Sequence, residues 1–152
     1  MGMHARVVAL IGLVLIVGLG AGVAPAADMG MAAETQLKGA LAEAKAAQTA
    51  GALKEAKEHL QGVVNCIEGP KGAMFRKMMG GMMSPCEGKG QGLLADAKAS
   101  GGKWSGAVPY IELVNTNAVA GLKAATLAKA RAAGAAAQFL LERADKAMMM
   151  GK

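Results

Sequence analysis

Residues 52–68 read ALKEAKEHLQGVVNCIE, and the spacing of their apolar members decides the fold. Leu53, Ala56, Leu60, Val63, Val64 and Ile67 recur three or four positions apart, which places them on one stripe of an α-helix. Glu55, Lys57 and Glu58 supply the polar remainder. Gly69-Pro70 ends the segment, since glycine suits a helix end and proline cannot continue one. A helix with a single apolar stripe has to bury it against another element.

The neighbours on either side follow the same period. Residues 33–50 carry Leu37, Leu41, Ala44 and Ala47 or Gln48 on one face, with Glu34, Lys38, Glu43 and Lys45 over much of the rest, and Gly51 as a stop. A glycine-rich stretch over 69–92 holds Pro70 and Pro85. A short helical piece at 93–100 leads to a break at Gly101-Gly102. Pro109 suits the first turn of a third long helix running to about residue 132, with Ile111, Val114, Ala118, Leu122 and Ala125 spaced for burial. Gly134 then separates a last helix at 135–149, whose inward residues are Phe139, Leu140, Ala144 and Ala147 or Met148. Short breaks at Gly51 and Gly134 favour adjacent, antiparallel helices. The expected fold is all-α: an antiparallel four-helix bundle over 27–152, with a long loop between its second and third helices. Its core is mostly Leu, Val, Ile and Ala, with Trp104 and Tyr110 capping it near the third helix.

The N-terminus has the parts of an export signal. Arg6 charges a short leader, Val7 to Val23 is apolar without a charge, and Ala24-Pro25-Ala26 offers small residues for cleavage after Ala26 or, second, Ala27. An uncleaved anchor is the competing reading. The run is about 17 residues, the lower edge of a bilayer span, and Gly12, Gly18, Gly20 and Gly22 interrupt it. Residues 1–26 are therefore expected to be removed, leaving a periplasmic or secreted domain with no stable membrane insertion. Removal takes Arg6 from seventeen basic residues and none of the eleven acids, so the net charge becomes +5.

Cys66 and Cys86 are the only cysteines, and an even count in an exported chain points to a disulfide. A metal–thiolate pair or a redox dithiol are the alternatives, although redox pairs usually stand as C-x-x-C. Between the cysteines lie Met74, Met78, Met79, Met82 and Met83, five methionines in ten residues. Met74 and Met78 are four apart, so a helical turn would bring both thioethers to one side. Thioethers are soft ligands that select Cu(I) over hard cations. Methionine is equally a flexible gap-filler and an adaptable contact residue, so a packed loop or a partner-binding patch remain open. Arg76 and Lys77, between these methionines, oppose a cation.

His59 is the single histidine after residue 26, with Glu55 and Glu58 beside it. The group forms a surface ion pair or contributes to a site for a borderline metal such as Zn²⁺ or Cu²⁺. One histidine leaves Ser84, Ser100 and Ser105 without a triad. Neither a phosphate-binding glycine loop after a strand nor a C-x-x-C-H haem motif is present, and the last helix lacks a histidine, which argues against haem. The lysines are spread along helix faces and stacking aromatics are few, so nucleic acid is not an expected partner. Such charge means a solvated surface or weak attraction to anionic lipid or polymer.

Residues 59–69, HLQGVVNCIEG, set in alanine- and lysine-rich helices, resemble a group of small periplasmic metal-binding proteins built as four-helix bundles. The likeness covers mainly residues 55–72. It implies a bundle that binds divalent metal through histidines, carried here by His59, with Asn65 and Gly69 at the structural helix end. The functional expectation is a non-enzymatic exported bundle that binds metal, copper through methionines in its sharper form. The alternative is a structural or interaction module of the cell envelope, with an envelope protein as partner and no metal.

Overall fold

The computed structural model describes residues 26–151. The predicted export signal therefore lies outside the described residues, except for Ala26. The chain forms α1 (Ala26–Thr49), α2 (Leu53–Glu68), a minimal ladder of β1 (Met78–Met79) and β2 (Met82–Met83), α3 (Leu93–Ser100), a 3₁₀ turn (Gly102–Trp104), α4 (Val108–Leu122) and α5 (Leu127–Met150). Apart from that ladder it is all-α. The four longer helices close a ring of contacts: α1 packs on α2 and α5, and α4 packs on α5 and α2. α3 lies against α1.

α1 starts several residues before the predicted position. Its upstream alanines favour helix, and Asp28 in the first turn faces the positive end of the helix dipole. Its C-terminal end is held from across the molecule, where Arg131 of α5 donates Nε–H to the Ala50 carbonyl at 2.8 Å. Glu55 reaches back from α2 to accept from the Gly51 and Ala52 amides at 2.7 and 3.3 Å. It thus caps its own helix, and the predicted grouping with His59 does not form.

The stripe of α2 is buried as its spacing requires. Ala56, Leu60, Val63, Val64 and Ile67 are fully enclosed, with Leu37, Leu93, Trp104, Ile111, Val114 and Leu141 from the other elements. Trp104 sits inside this core and Tyr110 is half-buried against it.

The boundary between the last two helices differs from the prediction. α4 stops at Leu122, and Thr126 starts α5 by accepting from the Lys129 amide at 3.3 Å. Gly134 is inside α5 and buried, where it lets α1 come close: a Cβ there would lie 2.8 Å from the Gln48 amide nitrogen. Moving the break turns the helix faces. Ala125 is exposed in the connection, Phe139 is 54% exposed under the Arg143 guanidinium, and Leu141 takes the core position. Leu140 is half-buried, while Ala144 and Met148 are buried as expected. Among the described residues, no helix is long and apolar enough to cross a membrane.

Candidate functional site

The loop between α2 and α3 is a built structure resting on α2. Cys66 and Cys86 are joined in a disulfide with 5.1 Å between their Cα atoms, and both are buried against α1. The loop's ends cross at Gly69 and Gln91, where a Cβ on Gly69 would run into the Gln91 carbonyl oxygen.

Three polar residues of α2 hold the intervening backbone. Gln61 Nε2 donates to the Met74 carbonyl at 2.7 Å and to Asn65 Oδ1 at 3.0 Å. Asn65 treats Arg76 as a strand would, accepting from its amide at 2.9 Å and donating to its carbonyl at 2.6 Å. Glu68 accepts from the Met74 amide at 2.8 Å and, through its other oxygen, from Asn115 Nδ2 at 3.0 Å. Gln61, Asn65 and Glu68 are spaced four and three apart, so they share one side of the helix. In the sequence Gln61 and Glu68 carry no functional mark and Asn65 reads as part of a helix end. The available signal was polar side chains at helical spacing in a helix otherwise buried from Leu60 to Ile67.

These bonds also decide the conformation of the methionine segment. A helical turn joining Met74 to Met78 does not form, because the backbone groups at Met74 and Arg76 are already bonded to α2 side chains. The chain turns at Met74 and then pairs with itself, Met78 opposite Met83 and Met79 opposite Met82. Gly80 and Gly81 make the connection with φ of 55° and 88°, the positive values that a two-residue hairpin turn requires. The Ser84 amide extends the pairing to the Lys77 carbonyl at 3.1 Å. Met74 is half-buried against the core and Met83 is 61% exposed. Lys77 pairs with Glu87 at 3.3 Å, which offsets one of the two cationic side chains in this segment.

His59 is directed at α1, with Nδ1 2.9 Å from Glu43 Oε2. Among the described residues, no group of three or more His, Cys, Asp or Glu side chains is placed to hold a metal ion. The hairpin carries four methionines in six residues, more than any other six-residue stretch of the sequence.

No known protein family, curated protein or solved structure matches this chain.

Proposed function

We propose that this is an exported, non-enzymatic protein that binds a soft metal, Cu(I) foremost, through Met74, Met78, Met79, Met82 and Met83. The observation that carries this reading is the hairpin register, which sets Met78 opposite Met83 and Met79 opposite Met82, two cross-strand pairs on a loop anchored to α2. Thioether sulfur is an uncharged, soft donor suited to Cu(I). An anchored backbone lowers the ordering cost of gathering flexible methionine side chains around an ion. His59, already engaged by Glu43, stays outside the copper set and is assigned at most to a borderline divalent ion. The scaffold is read as an antiparallel four-helix bundle of α1, α2, α4 and α5, supported by their ring of contacts and by the short connections within the pairs α1–α2 and α4–α5. The charged leader and apolar run of residues 1–26 support export to the periplasm or beyond.

Titration of the purified protein with Cu(I) against a competing chelator tests the proposal. Binding is expected, and it should be lost when the five methionines are replaced by leucine. Unchanged affinity in that variant sinks the copper reading.

The exposure of Met83 favours a second reading, an adaptable apolar contact for an envelope protein. It predicts a crosslinked partner whose recovery falls when residues 78–83 are replaced by a glycine–serine turn and is indifferent to chelators. Recovery that persists after the replacement removes it.

A further inference from the structure

Beneath the hairpin is a cleft of about 460 Å³ between α2, the loop and the end of α4. We infer that it binds an amphiphilic anion, with a carboxylate or phosphate head on Lys57, Arg76 and Lys123 and an apolar part on Met74 and Leu122. The inference is independent of the copper reading, and Met74 serves here only as a wall.

Charge is the first argument. Lys54, Lys57, Arg76 and Lys123 converge on the cleft from three separate segments, and among the described residues Glu58 is the one acid lining it. Glu58 already lies 3.9 Å from Lys54, and its carboxylate fills the space beside Gly80. Among the described residues, Lys57, Arg76 and Lys123 form no ion pair. Cations gathered without counter-charges repel one another and concentrate anions in a cleft with low-dielectric walls.

Shape and placement are the second. Arg76 is exposed, but its backbone is held at both amide and carbonyl by Asn65, so the root of the side chain is fixed. Lys123 directly follows the last residue of α4, at the helix end that the sequence reading placed ten residues later. Met74 and Leu122 pack against the core and give the cleft an apolar wall. A volume of about 460 Å³ is within the roughly 300–1,000 Å³ of small-molecule sites and exceeds what a bare inorganic anion fills.

Calorimetric titration of the full chain, with chelator present, tests this. The probes are decyl phosphate and decanoate below their micelle concentrations, with inorganic phosphate as the head-group control. At least one amphiphile should bind about tenfold more tightly than inorganic phosphate, and which one does so identifies the head group. Arg76→Gln with Lys123→Gln should weaken that binding about tenfold, whereas Lys45→Gln with Lys146→Gln, away from the cleft, should not. All four side chains are exposed, so an unchanged circular dichroism spectrum is expected and checks folding. Amphiphile binding no tighter than phosphate, or equal loss in the two double variants, overturns the inference.

Discussion

Gly39 stands in α1 where the disulfide passes. A Cβ at this position would lie 2.7 Å from Cys86 Sγ and 3.4 Å from Cys66 Sγ. Both cysteines are buried, so the bridge has little room to retreat. On helix propensity alone, Gly39→Ala would stabilise the protein by up to about 1 kcal/mol. The contact reverses the sign, and a net loss of about 1–3 kcal/mol is expected from overpacking, seen as a lower urea midpoint. In a Cys66→Ala, Cys86→Ala background the sulfurs are gone, and the same substitution should become neutral or stabilising. An equal loss in both backgrounds would assign the cost to something other than the bridge.

At the level of elements, legibility followed contrast. α2 was readable because leucine, valine and isoleucine stand out from the lysines and glutamates around them. Residues 118–147 are dense in alanine on every side, so no face is marked and a lone glycine looked like the break. The missed signal was Thr126, a helix-starting residue ahead of Leu127. For the candidate site, the methionine density and the disulfide pairing were visible in the sequence. The hairpin has a signal too, Gly80-Gly81 between two methionine pairs, but what rules out the competing helical turn, Asn65 and Glu68 taking backbone bonds a helix would use, depends on the packed loop. Gly134 tests the corrected boundary. Its Cβ would lie 2.8 Å from the Gln48 amide nitrogen, 2.9 Å from Ala47 Cβ and 3.1 Å from the Ala44 carbonyl oxygen. Two of these contacts are backbone and cannot rotate away, so Gly134→Ala should cost about 1–3 kcal/mol. A residue in a linker would show no such loss in thermal melting, and an unchanged midpoint would restore the break at Gly134.

Across the whole molecule, the disulfide and the α2 side chains hold the same loop by different physics. The bridge spans 20 residues, and closing such a loop restricts the unfolded chain by about 3 kcal/mol in the chain-entropy account. The bonds from Gln61, Asn65 and Glu68 act only in the folded state and persist when the bridge is opened. Reduction should therefore lower unfolding stability by about 3 kcal/mol while leaving the helical circular dichroism signal without denaturant unchanged. Amide exchange at Arg76 separates the two contributions, because its N–H is bonded to Asn65 and not to any part of the bridge. If the loop stays docked in the reduced protein, that amide remains protected, with its opening energy lowered no more than the global value. Free exchange at Arg76 in a reduced protein that is still helical would mean that the bridge alone docks the loop, and that the three polar residues do not hold it.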